Sequence, residues 1–277
     1  MADELEARTA DGVTLHLDRV RADGARRGVV VCLHAMMTDG RYFGARKDAG
    51  FAHTLAASGL DVNVADFRGH GGSVPPRAGE GDWSFDDLVE LDVPAIVAAA
   101  AGASGVAPAQ LAIVGHSLGG LAATAAIATA RIPPPRHLVL AATSVWLGET
   151  FARRALMTAY RTLARAFGKA PIRALRAGTA DEAALYVEQL TGWARARRWT
   201  SLRGVDYLAQ LARIEVPTRA ITGASDWMCR PADAEVIARR IRTCAPLRVV
   251  PGADHFSLIT STKLAPLWRE LADHTSR

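Results

Sequence analysis

What most constrains the fold is an alternation: short apolar runs, each closed by a turn signal, take turns with alanine-rich or amphipathic stretches of helical length. RGVVVCL at 27–33, LDVNVAD at 60–66, LAIVG at 111–115, RHLVLAA at 136–142, VPTRAITG at 216–223 and PLRVVPG at 246–252 read as strands, with Val13–Val20 before them. The run 28–33 is apolar without interruption, as expected of a strand buried on both faces. Helical patterns fill 45–58, 84–102, 117–130, 231–243 and the chain from about 262. Ser84, with Asp86 and Asp87 behind it, opens the second of these as a helix start. A strand–helix–strand series of this kind predicts an α/β fold: a mostly parallel central sheet, right-handed crossovers and helices on both faces.

The series breaks once. Between Val145 and Arg213 the strand signal stops and arginine-rich helical stretches take over, then the alternation resumes. The expected organisation is therefore a core in two parts, 1–145 and 215–277, interrupted by a helical insertion at 146–214. The net charge of +5 is lodged in this insertion: 12 Lys and Arg stand against 4 Asp and Glu between 150 and 214, which leaves the remainder acidic. Without a recognition motif or an aromatic-basic platform, the charge is no sign of nucleic acid. Most of it reads as a solvated face, with an anionic substrate or membrane surface as the sharper alternative.

Other function classes are excluded on composition. A chain that is 49% hydrophobic and 22% charged suits a globular protein with a large core. The start, MADELEARTADG, has no apolar core of a secretory signal, and no uncharged stretch has the length of a membrane span, so the expected location is cytoplasmic. Cys32, Cys229 and Cys244 form no CxxC pair, and the eight histidines form no ligand-spaced cluster; neither a disulfide framework, a metal nor a cofactor is expected.

The chemistry concentrates in LAIVGHSLGG at 111–120. A serine nucleophile requires a sharp strand-to-helix turn that lifts its hydroxyl beyond the sheet edge, with backbone N–H groups nearby for a developing oxyanion. LAIV supplies the strand, Gly115 and Gly119 leave room for a tight turn, and the helix beginning at Ser117 supplies N–H groups and a favourable dipole. A helix-capping serine would explain Ser117 but not both glycines, and no GK[ST] follows to make a phosphate loop.

With GHSLGG, DFRGHGGS at 66–73, LHAMM at 33–37, GASDWMCRP at 223–231 and GADHF at 252–256, the sequence resembles the α/β-hydrolase superfamily over nearly its whole length. The resemblance implies an α/β-hydrolase fold with an inserted helical cap and a serine esterase or lipase-like activity. Serine chemistry asks independently for a histidine to take and return a proton and for a carboxylate to orient it. His255, on a loop after a sheet strand, is the expected base and Asp226 the expected acid. Asp226 as a helix cap before Pro231, and Asp254 or Glu149 as the acid, are the alternatives. The backbone N–H groups of Met36 and Leu118 are the expected oxyanion donors, although Ala35 stands where many members have glycine. Met37 and Trp146 are expected against the substrate, and His34 and His70 as braces for their loops.

The leading expectation is a carboxylesterase- or lipase-like serine hydrolase cleaving a small ester or acyl substrate through an acyl-enzyme on Ser117. A thioesterase, lactonase or amidase would use the same three residues, as would an acyltransferase; a ligand-binding protein on a hydrolase scaffold is the non-catalytic alternative. Acyl-chain length and oligomeric state leave no signal.

Overall fold

The computed structural model describes residues 2–47, 49–73, 78–147 and 149–276. Its first strands are β1 (Asp3–Arg8), β2 (Thr14–Val20), β3 (Gly28–Leu33), β4 (Leu60–Ala65), β5 (Leu111–His116) and β6 (His137–Ala141). A short pair, β7 (Lys169–Ala170) and β8 (Glu182–Ala183), lies apart, and β9 (Thr218–Gly223) and β10 (Arg248–Val250) complete the main sheet. That sheet has the order β1-β2-β4-β3-β5-β6-β9-β10. From β4 onward every pairing is parallel, while β2 joins β4 and β1 joins β2 antiparallel. The mostly parallel sheet flanked by helices is the one the alternation predicts.

The helices are α1 (Phe51–Ala57), α2 (Phe85–Asp87), α3 (Val93–Ser104), α4 (Leu118–Ala128), α5 (Phe151–Phe167), α6 (Ala184–Ala196), α7 (Tyr207–Gln210), α8 (Pro231–Ala238), α9 (Ser257–Thr260) and α10 (Ala265–Thr275). Ile96 and Val97 of α3 and Leu118, Leu121 and Ala122 of α4 cover one sheet face. Phe51 and Leu55 of α1 and Leu267, Trp268 and Leu271 of α10 cover the other. Burying both faces explains why β4, β5 and β6 contain no exposed residue.

Several boundaries differ from the sequence expectation for local reasons. The acidic start forms β1, an edge strand whose Leu5 and Ala7 turn inward while its charges face out. The helix expected at 45–58 forms only over 51–57, because Gly44 and Gly50 take positive φ of 75° and 145° and turn the chain before it. The helix expected at 84–102 starts at the capping box of Ser84 and Asp87, then widens into a π turn at Leu88–Asp92 before α3. Pro94 has no N–H to give to Glu90, so the ladder is interrupted where the π turn lies.

Between β6 and β9 the chain leaves the main sheet. There α5 and α6 pack on each other, and Trp193, Trp199 and Tyr207 close around Phe85 of α2 with ring centroids 5.0–6.2 Å away. Tyr160 and Tyr186 are also buried, whereas Phe151 and Phe167, at the two ends of α5, are exposed. Among the described residues, no helix is long and apolar enough to cross a membrane.

Candidate active site

β5 ends at His116, and the chain turns directly into α4 through Ser117, whose φ of 51° and ψ of −111° lie in a region a residue with a Cβ rarely adopts. Crowding holds it there. A Cβ on Gly115 would fall 2.4 Å from Gly120 Cα, one on Gly119 2.2 Å from the Leu33 carbonyl oxygen, and one on Gly120 2.0 Å from Thr143 Oγ1. The Ser117 N–H donates to Ala141 O at 2.8 Å, and the Gly119 N–H to His34 O at 3.0 Å. The turn is thus tied to the ends of β6 and β3, and half-buried Ser117 stands on the C-terminal edge of the sheet.

Asp226 and His255 reach the same edge because β9 and β10 are parallel neighbours. The loops beyond them touch: Ser225 N–H donates to Ala253 O at 2.9 Å, and Gly223 packs so closely that a Cβ there would lie 2.3 Å from the same oxygen. His255 Nδ1 is hydrogen-bonded to Asp226 Oδ2 at 2.8 Å, with both side chains buried. Asp226 Oδ1 accepts the N–H groups of Met228 and Cys229 at 2.9 and 2.7 Å. Asp226 therefore shapes its own loop and is not the cap of α8, which Arg230 precedes. The two alternative acids are engaged elsewhere. Asp254 accepts the N–H groups of Phe256 and Ser257, and Glu149 is exposed and bonded to the Leu147 N–H and Arg153.

The elbow meets the histidine loop through His116, whose Nε2 is hydrogen-bonded to His255 O at 2.9 Å and whose ring centroid lies 5.0 Å from that of His255. Burial lowers the pKa of His116 to about 3, so it is neutral. Among the described residues, no hydrogen bond joins the Ser117 hydroxyl to His255. With Nδ1 engaged by Asp226, Nε2 is the ring nitrogen left for a proton transfer.

Leu118, as the first residue of α4, has no acceptor within its helix. Neither its N–H nor that of Met36 donates in any described turn or loop hydrogen bond. Met37 differs: at φ 62° its N–H donates to Glu182 Oε1 at 2.5 Å, and its carbonyl accepts the N–H groups of Thr179 and Ala180 at 2.8 and 3.3 Å. His34 is buried and neutral, its pKa lowered by burial to about 3; Nδ1 donates to Ala35 O and Nε2 accepts the Phe67 N–H. Asp66 joins the same two loops, accepting the Gly40 N–H at 2.6 Å and the Gly72 N–H at 2.8 Å.

His70 is buried, with Nε2 3.4 Å from Glu182 Oε1. Burial alone would lower its pKa, but the Glu182 carboxylate, with the Arg68 carbonyl and Asp66, outweighs burial and holds it at about 9. Glu182 has no signal in the sequence: it lies between Asp181 and alanines on a polar stretch, and only the fold buries it. Trp146 is half-buried, its indole N–H donating to Met228 O at 2.6 Å and its ring lying under the Arg153 guanidinium at 4.4 Å, so it braces the loop that carries Asp226.

Among the described residues, Glu4, His16 and Asp18 are grouped closely enough for a metal, but the Arg46 guanidinium binds all three. All three cysteines are free.

The fold recurs in solved structures. The chain aligns with an esterase from Exiguobacterium antarcticum at a TM-score of 0.68 and 16% identity, covering 99% of each chain. A thermophilic esterase from Thermogutta terrifontis aligns at 0.67 and 17%, covering 100% of each, and the thioesterase domain from the curacin biosynthetic pathway at 0.62 and 19%, covering 98% of this chain and 99% of that one. No curated protein matches the sequence. The family described as serine aminopeptidase, S33, matches residues 24–259, nearly the whole span from β3 to α9. The chain belongs to that family of α/β hydrolases.

Proposed function

We propose that the protein is a serine hydrolase that cleaves a carboxylic ester or thioester through an acyl-enzyme on Ser117. The observation that carries this reading is the strained Ser117 beside a histidine loop whose His255 is oriented by Asp226. In the first step Ser117 Oγ bonds to the acyl carbon while its proton passes to His255 Nε2. The carbonyl π electrons move onto oxygen, and the Met36 and Leu118 N–H groups stabilise that oxyanion. Collapse expels the alcohol or thiol, which takes the proton from His255. Water then repeats the sequence, releasing the acid and restoring Ser117. Asp226 accepts from Nδ1 and stabilises the imidazolium that forms.

Residues 146–214 form a cap in this reading, with Met37 and Trp146 on the acyl side of the site. The core lies at 1–145 and 215–277, the substrate is a small molecule, and the protein acts in the cytoplasm. The esterase and thioesterase identities of the neighbours support ester and thioester substrates. The family's description favours a second reading, cleavage of an amino-terminal peptide bond by the same residues.

The test compares wild type and Ser117→Ala on p-nitrophenyl esters from acetate to long-chain acyl, on an acyl thioester, and on amino-acid p-nitroanilides. Ester or thioester turnover that vanishes in a folded Ser117→Ala supports the proposal. Turnover confined to the anilides supports the peptide-bond reading, and undiminished ester turnover in the variant rejects Ser117 as nucleophile.

A further inference from the structure

We infer that Glu182, reaching in from the segment between β6 and β9, is a positioning residue for the loop that carries Met36: it holds that loop, which His34 O ties to the Ser117 turn, in the conformation that leaves the Met36 N–H free for the proposed oxyanion. The inference rests on the serine-hydrolase reading for its catalytic consequence and on geometry for the clamp itself.

Met37 is gripped through both of its backbone polar groups. Its N–H goes to Glu182, and its carbonyl to Thr179 and Ala180. Gly178 lies so close that a Cβ there would fall 2.2 Å from Met37 O. All four gripping residues lie within 178–182, far in sequence from the loop they hold. Positive φ at Met37 is unfavourable for a side chain with a Cβ, so this conformation requires such outside support. With the Met37 N–H consumed, the Met36 and Leu118 N–H groups still donate in no described turn or loop hydrogen bond.

A carboxylate buried to 1% of its free exposure needs compensation. His70 supplies it, held in turn through Nδ1 and Arg68 O at 2.8 Å. Glu182 Oε2 is buried without a hydrogen-bond partner, so Oε1 bears both contacts and the side chain's place depends on them. Other titratable groups facing the pair are His34 and Asp66 from the core, Tyr160 of α5, Tyr186 of α6 and neighbouring Asp181. His34 stays neutral, and burial raises the pKa of both tyrosines. Loss of the His70 proton therefore leaves Glu182 buried without its counter-charge, and the clamp loosens.

The test uses Glu182→Leu, which keeps bulk and removes the acceptor, and Glu182→Gln, which keeps an acceptor oxygen without charge. Two readouts are taken: ester kcat and KM across pH, and hydrogen exchange at the Met37 amide. Expected are a protected Met37 amide in wild type, fast exchange in Glu182→Leu, and roughly a hundredfold loss of kcat at little-changed KM, the scale of a misplaced oxyanion donor. Glu182→Gln should keep kcat within about tenfold at neutral pH, and should lose the alkaline decline of the wild type. A folded Glu182→Leu with wild-type kcat, or with a defect in KM alone, overturns the inference while the serine-hydrolase reading stands. If Glu182→Leu does not fold, an alkaline limb unchanged in Glu182→Gln overturns it. If the wild type turns over neither ester nor thioester, the functional reading falls, and the exchange rate at Met37 still decides the clamp: an unprotected amide rejects it.

Discussion

Asp226 meets His255 with one carboxylate oxygen and holds its own loop with the other: Oδ2 lies 2.8 Å from Nδ1, and Oδ1 takes the N–H groups of Met228 and Cys229. The two tasks separate by substitution. Asp226→Asn can keep a carbonyl oxygen on the backbone donors while presenting an amide to His255. It is expected to fold with a thermal midpoint close to wild type and to lose kcat by roughly ten-thousandfold, the scale of a misoriented base. Asp226→Ala should lose both activity and stability, and a kcat within tenfold of wild type in either variant would remove Asp226 from the mechanism.

The elbow's small residues are expected to be intolerant of a single methyl. In Gly119→Ala the new Cβ meets the Leu33 carbonyl, a backbone atom that cannot swing aside. A loss of about 1–3 kcal/mol should show in denaturant unfolding, as for other overpacked sites. Gly102→Ala, on the open side of α3 with nothing within 4 Å, is the matched control and should be neutral or slightly stabilising. Equal effects at the two positions would contradict the crowding argument.

Arg68 and Asp92 form a buried pair at 2.8 Å, with Arg68 also reaching Asp11. Burial pushes the Asp92 carboxyl up to about 6 even with Arg68 beside it. Arg68→Met should cost about 3–5 kcal/mol by stranding that carboxylate, and the double variant Arg68→Met/Asp92→Leu should recover much of the loss. A double variant as unstable as the sum of the singles would show the pair to be uncoupled.

Stability should fall on both sides of neutrality. His34 and His116 are held near 3 in the fold, below the ordinary 6.5, so unfolding takes up protons as pH falls from about 6.5 towards 3 and their contribution is lost there. His70, raised to about 9, acts in the opposite direction: its contribution is complete below about 6.5 and is lost as pH rises through 9. Thermal midpoints measured from pH 4 to 10 should trace both limbs, and Glu182→Gln should flatten the alkaline one alone. A midpoint that is level from 6.5 to 9.5 in the wild type would refute the His70 assignment.

The strands were readable because a sheet covered on both faces admits apolar side chains at every position, as in VVVCL of β3 and LAIV of β5. The meeting of Asp226 with His255 was readable for a related reason: each follows a strand of one parallel series, and parallel strands deliver their following loops to one edge. What escaped depends on contacts between distant residues. β1 carries four charges in six residues and becomes a strand through its pairing with β2. Glu182 becomes a contact of Met37 only when the fold closes a sequence separation of 145 positions. The second task of Asp226 requires the backbone path of 226–229, which residue type does not reveal.

The grip of residues 178–182 on Met37 also sets a limit on modularity. Segments between β6 and β9 invite exchange by protein engineers seeking a different substrate range, since the chain there lies outside the main sheet. Here such a graft would remove an acceptor and two donors from the loop after β3, so a chimaera must carry 178–182 with its recipient loop or redesign residues 34–38 at the same time.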